Sequence, residues 1–347
     1  LAGARALEEQ VLVVQSRTLP DDHPDLQRAR QNLAVTIVNQ LARASSHPAG
    51  EGERNGEREE GRQRCVELIS DVCGAQVHAA RAAILGSPGR EAEERCAGLT
   101  RDLALSLSFA QGFGVLEPQV ELESPSFAFA ETTRGAALAS AALTRTAEGS
   151  PKYAELREAL SEASDALAGL AQQGTTSEEF DRARVKRESV ERELVALSRE
   201  LSGGAEGAVE LEVDALARRL AAGEATVSFR RFKKWRVEVE AELDSTGQPA
   251  LRESAVASLC AFVVRSAKAA TSPESAPASP LTLVDLGPIA PIEAAARAWR
   301  AAIGVGVERG LSNDDTGIDR VKESGEELRR LVLDPLLPAL GGADHLV

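Results

Sequence analysis

Methionine is absent from the 347 residues, and aromatic side chains make up only 3%, with two Trp, one Tyr and eight Phe. Any core must therefore be filled by Ala, Leu and Val, small side chains that suit close packing of helices. Cysteine is scarce: Cys65, Cys73, Cys96 and Cys260 show no C-x-x-C spacing and are too few for a disulfide framework in a chain of this size. That usage fits a reducing cytoplasm, the expected location. No apolar run approaches the roughly 20 residues needed to cross a bilayer, so no membrane span is expected. Positive charge is in deficit, with 40 Lys and Arg against 54 Asp and Glu and a formal net charge of −14. Broad binding to nucleic acid or to anionic membrane needs a basic surface, and this balance argues against both. A first residue other than Met and an abrupt last strand are read as marks of an excerpt from a longer protein.

What is present suffices for cores. The apolar fraction is 43%, and the length allows two or three units of ordinary domain size. Residues 1–44 read as two helices, the first with Leu7, Val11 and Val14 inward and the second with Leu26, Leu33, Ile37 and Leu41 inward. The turn Leu19-Pro-Asp-Asp-His-Pro-Asp25 separates them, with Asp as helix cap and Pro24 in the first turn. Residues 45–63, mostly Gly, Glu and Arg, read as a flexible charged linker.

Residues 64–148 form a helical, repeat-like region. One helix runs from Arg64 to Leu85 with Cys65, Leu68, Ile69, Val72 and Val77 inward, and another from Arg90 to Gln111, broken by Gly112, Gly114 and Pro118. A third covers Ser126 to Leu138. Residues 149–223 carry the clearest periodicity: Tyr153, Leu156, Leu160, Ala163, Leu167 and Leu170, then Phe180, Ala183, Val190, Leu194, Leu197 and Leu201, interrupted by Arg187. Alternating steps of three and four predict an antiparallel helical hairpin. Thr176 and Glu179 form a capping box, Gly203-Gly204 closes the pair, and a short helix spans Val209 to Leu220.

Strand signals are confined to residues 224–347: Ala225 to Phe232, Ala257 to Arg265 and Leu281 to Leu286. Helices follow at Ile292 to Ile303 and Ile318 to Leu333, and a further strand begins at His345-Leu-Val347. That order is half of a strand-helix-strand unit.

Ala4-Arg-Ala-Leu7, the Asp22-His-Pro-Asp25 turn and Asn32-Leu-Ala34 resemble the tetratricopeptide repeat of the kinesin-light-chain type. His23, Asn32 and Leu33 are its motif positions here, and the resemblance implies a protein partner held by helical repeats. Phe127-Ala-Phe-Ala-Glu131-x-x-Arg134-Gly135, the long hairpin, Leu216-x-x-x-Leu220 and Asp334-Pro-Leu-Leu-Pro338 resemble, in that order, the CHAT family of caspase-like proteins. The implied fold is mainly α, with repeat-like helices and a long hairpin, followed by the incomplete amino-terminal half of an α/β caspase-like domain. The implied activity is that of a cysteine peptidase whose His-Gly and Ser-Ala-Cys motifs lie downstream; neither occurs here, so no catalytic residue is assigned. A non-catalytic binding scaffold is the alternative. Cut before its remaining strands, residues 226–347 are expected to self-associate.

Other residue groups read as structural. Cys65, Cys73 and His78 follow no zinc spacing, so no metal and no cofactor is expected. Arg230-Arg-Phe-Lys-Lys-Trp-Arg236 interleaves basic and aromatic residues but reads as a half-buried strand with a solvated face. Gly304-Val-Gly306-Val-Glu-Arg-Gly310 follows a helix rather than a strand and reads as a loop, not a dinucleotide site.

Overall fold

A computed structural model describes residues 2–21, 23–45, 51–86, 89–113, 116–135, 149–173, 177–201, 212–243, 249–268, 279–308 and 315–347. Its elements are α1 (Ala2–Thr18), α2 (Pro24–Ser45), α3 (Glu51–Gly86), α4 (Gly89–Gly98), α5 (Thr100–Ala110), α6 (Glu123–Arg134), α7 (Pro151–Gln173), α8 (Ser177–Leu201) and α9 (Val213–Arg219). There follow β1 (Glu224–Leu243), β2 (Pro249–Arg265), β3 (Leu281–Pro288), α10 (Ile289–Glu308), α11 (Asp315–Val332), α12 (Leu337–Leu340) and β4 (His345–Leu346). The result is a mostly helical protein with one small open sheet. Two compact units divide it: residues 1–73, 101–127 and 212–347 in the first, and 74–100 with 128–211 in the second.

In the first unit α2 buries one face, Leu26, Leu33, Ala34, Ile37 and Val38, all at 0% exposure. The spacing puts them in one stripe, as expected. Helix α3 lies against that stripe so closely that a Cβ on Gly61 would meet Leu41 Cδ1 at 3.0 Å, and Cys65 Sγ donates to the Ala34 carbonyl at 3.5 Å. Helix α1 departs from its expected orientation. Leu12 is its buried residue, whereas Leu7, Val11 and Val14 are 62%, 41% and 60% exposed. Its packing partner is α2, and one neighbour covers only one side of a helix, leaving the other apolar stripe in water.

The sheet runs β3-β2-β1-β4. Strands β1 and β2 form a long antiparallel hairpin, β3 adds antiparallel to β2, and β4 adds parallel to β1 through Glu224↔His345 and Ala225↔Leu346. The chain thus leaves β3, crosses by α10 and α11, and returns as β4 in the direction of β1. Central strand β2 is buried on both faces from Cys260 to Val264, which explains its unbroken apolar run. One face carries Ala225, Ala261, Val263 and Leu286 against Ile292, Leu336, Ala339 and Leu340 of the crossover helices. The other carries Phe262, met edge-on by Phe127 of α6 with ring centroids 5.3 Å apart. Helical residues also tie down strand edges: the Trp235 N–H donates to Ser108 Oγ at 2.9 Å, and the Leu283 N–H donates to the Glu123 carboxylate. Pairing satisfies donors that an open edge would leave free.

The second unit contains the long hairpin. Tyr153, Leu160 and Leu194 are its buried seam, with Leu156, Val190, Leu197 and Leu201 packed beside them. Arg187, the break in the pattern, stays at the margin and pairs with Glu191 at 3.5 Å, while Glu191 also binds Arg95 of α4. A separate cluster joins Ala80, Ala83, Ile84 and Cys96.

Several boundaries differ from the sequence expectations. Residues 51–63 are helical, the first turns of α3, rather than a flexible linker. Glu and Arg are good helix formers, and Arg62 closes an i, i+3 pair with Glu59 at 2.7 Å. The helix expected over Arg90 to Gln111 is two, broken at Leu99 after Gly98. Strand β1 absorbs both Ala225 to Phe232 and the basic run. Gly304 to Glu308 extend α10 instead of forming a loop. Thr176 of the capping box, Gly203-Gly204, Gly310 and residues 136–138 lie outside the described residues.

Candidate functional site

The three repeat-motif residues take three different positions. Leu33 is fully buried in the α2 stripe. His23 begins α2: its carbonyl accepts the Gln27 N–H at 3.1 Å, and its Nδ1 accepts the Asp25 N–H at 3.2 Å. The imidazole therefore does the capping expected of Asp, and Pro24 occupies the first helical position, where no N–H is needed. Arg30, whose side chain is 11% exposed, anchors this turn to α3 by pairing with Asp21 at 3.3 Å and Asp71 at 3.5 Å. Asn32 alone faces an open space.

That space is a groove of about 320 Å³. Helix α2 contributes Gln31, Asn32, Val35 and Thr36, which recur at helical spacing beside its buried stripe. Glu8 comes from α1, Arg101 and Leu105 from α5, Phe113 from the segment after α5, and Trp235 from β1. The aromatic part is held firmly. Phe113 is buried and stacks on Phe109 with centroids 4.7 Å apart, and Ser108 fixes the Trp235 backbone. Ser108 in turn donates its hydroxyl to the Ala104 carbonyl at 2.7 Å.

The polar part is incompletely satisfied. Glu8 Oε2 is sealed from solvent and, among the described residues, has no hydrogen-bond partner. Arg101 is exposed at the rim and makes no ion pair among those residues. Amide side chains such as Gln31 and Asn32 both donate and accept, so they can follow the backbone of an extended segment while aromatic walls take its apolar side chains. The volume falls at the lower end of the ~300–1,000 Å³ typical of ligand sites.

The thiols sit as core residues. All four cysteines are reduced and buried. Burial pushes the Cys65 thiol up to about 12, Cys73 to about 11 and Cys260 to about 12, and raises Cys96 as well, so the thiolate is disfavoured. Among the described residues no group of three or more His, Cys, Asp or Glu side chains is placed to hold a metal ion. No described helix is long and apolar enough to cross a membrane.

The basic run is divided by the pleat. Arg231 points to the crossover helices and pairs with Glu293 at 3.1 Å. Lys234 lies on the opposite face, on the same side as Phe232 and Phe262, with only 6% exposure. The sequence reading placed this charge in solvent; strand alternation from buried Phe232 was the signal that locates it. Glu8 and Trp235 were also missed as groove residues, because nothing local marks a wall assembled from distant elements. Compared with family models, with curated proteins and with solved structures, the chain matches none.

Proposed function

We propose that this chain is a protein-binding scaffold that takes an extended segment of a partner into the α1–α2–α5–β1 groove, joined to the amino-terminal half of a caspase-like domain of the CHAT type. The observation that carries the binding reading is that amide and aromatic side chains line one groove together: Gln31 and Asn32 with Phe113 and Trp235. The caspase-like reading draws support from the β3–α10–α11–β4 crossover, which returns parallel to β1. In this reading the chain itself does no chemistry, consistent with its buried, protonated thiols.

Trp235 provides the test. The chain has two Trp, so Trp299→Phe leaves Trp235 as the only indole. Titration of that variant with pooled blocked hexapeptides should give a saturable fluorescence change, lost in Val35→Asp or Leu105→Asp. Absence of any saturable change with all pools would remove the binding reading. Covalent labelling of the folded chain by a thiol-directed protease probe would replace it with a catalytic one.

A further inference from the structure

We infer that the groove selects a segment carrying a cationic side chain, Lys or Arg, whose charge is received by Glu8. The inference rests on the binding reading and deepens it. Three observations lead to it. Glu8 lines the groove, and its carboxylate has no donor among the described residues: Oε2 is covered by protein, which leaves Oε1 as the oxygen an incoming cation can reach. A half-buried carboxylate in that condition has given up part of its water without compensation, and a charged donor restores more than a neutral one. The neighbouring Glu9, the other acidic side chain of this helix, is already paired, to Arg5 at 2.8 Å.

Trp235 adds the second argument. An indole in the same groove gives a guanidinium or ammonium a π face beside the carboxylate. Net charge adds the third: at −14, the chain attracts cationic partners over distance and speeds their encounter. Arg101, the positive group of the groove, is exposed at the rim, where solvent screens it; it can take a carboxylate of the same segment without opposing a cation at Glu8.

Three pools of blocked hexapeptides test this, with identical random flanks and a fixed Arg, citrulline or Glu at the third position. Citrulline keeps the shape of Arg and removes the charge. On the Trp299→Phe chain, the Arg pool should bind roughly tenfold more tightly than the citrulline pool, the range expected for a charge-assisted bond to a half-buried carboxylate. A Lys pool should follow Arg. The gap should close in Glu8→Gln, checked for native circular dichroism, and narrow as salt is raised. Equal affinity for Arg and citrulline, a preference for Glu, or a gap that persists in Glu8→Gln would overturn the inference while leaving the groove as a binding site. Failure of every pool to bind would remove both. Should Glu8→Gln not fold, the Arg-to-citrulline gap and its salt dependence on the parent chain decide the question alone.

Discussion

Lys234 Nζ lies 2.5 Å from Asp285 Oδ2, so that an ion pair spans the sheet from β1 to β3 over the central strand. The two partners are unequal. The Lys234 side chain is 8% exposed and that of Asp285 35%. Asp285 also accepts the Gly287 N–H through Oδ1 at 2.9 Å, where a bulge with φ of +81° turns β3 toward α10. Removing the charge of Asp285 strands an ammonium in the interior; removing that of Lys234 leaves a carboxylate that water can reach. Asp285→Asn, which retains an acceptor for Gly287, should therefore cost about 2 kcal/mol, below the ~3–5 kcal/mol of a fully buried pair because Asp285 is partly solvated. Lys234→Met should cost less than about 1 kcal/mol, since an apolar side chain of similar length fills the same space. Urea unfolding of both variants and the double variant checks this; equal costs for the two single changes would contradict the asymmetry.

Glu123 predicts a pH effect of the opposite sign to that of an ordinary surface acid. Burial raises its folded-state pKa above the usual carboxylate value, and the hydrogen bond from the Leu283 N–H offsets this only in part. The folded chain thus prefers the protonated acid. Its stabilising contribution is present below the unfolded pKa and is lost as pH rises through the folded one. Glu123→Gln keeps an acceptor for Leu283 and does not ionise. The variant should melt at a higher temperature than the parent at pH 7, and the difference should disappear near pH 4. A variant that melts lower at pH 7 would show that the carboxylate charge is favourable where it stands.

The thiols offer a measure of how well closed the core is. Cys65, Cys73 and Cys260 are each at or near 0–1% exposure, and burial raises all three well above the ordinary thiol value. Reaction with a disulfide reagent at pH 8 should be slow for all three in the folded chain and complete on addition of denaturant. Rapid modification of Cys260 without denaturant would mean that β2 is not a central strand.

How much of this was legible beforehand varies with the range of the interaction. The seam of Tyr153, Leu160 and Leu194 and the α2 stripe of Leu26, Leu33 and Ile37 follow from periodicity, because a helix decides its own faces. The β3-helix-helix-β4 order also followed from strand and helix signals in sequence. The helical state of residues 51–63 did not, since a low apolar content was read as solvation while helix propensity and the Arg62–Glu59 pair pointed elsewhere. Groove residues were legible only in part. Asn32 stood in a recognisable motif, whereas Glu8, Arg101 and Trp235 meet it only through tertiary packing. Lys234 was misplaced because one face of the strand was read as solvated, whereas Phe232 and Val237, of opposite parity, are both buried.

Helix α1 supplies the sharpest contrast between pattern and packing. Leu7, Val11 and Val14 form a stripe that looks like a core face, yet each is more than 40% exposed; Leu33 on α2 is at 0%. An exposed apolar side chain has little to lose on truncation, because it is hydrated in both folded and unfolded states. Leu7→Ser, Val11→Ser and Val14→Ser should each change stability by less than about 0.5 kcal/mol. Leu33→Ala removes buried methyl groups and leaves a cavity, so it should cost about 2–5 kcal/mol. Denaturant titration of the four variants separates the outcomes. A loss above about 2 kcal/mol from the α1 stripe would place those side chains inside a core and reverse the orientation of α1 on α2.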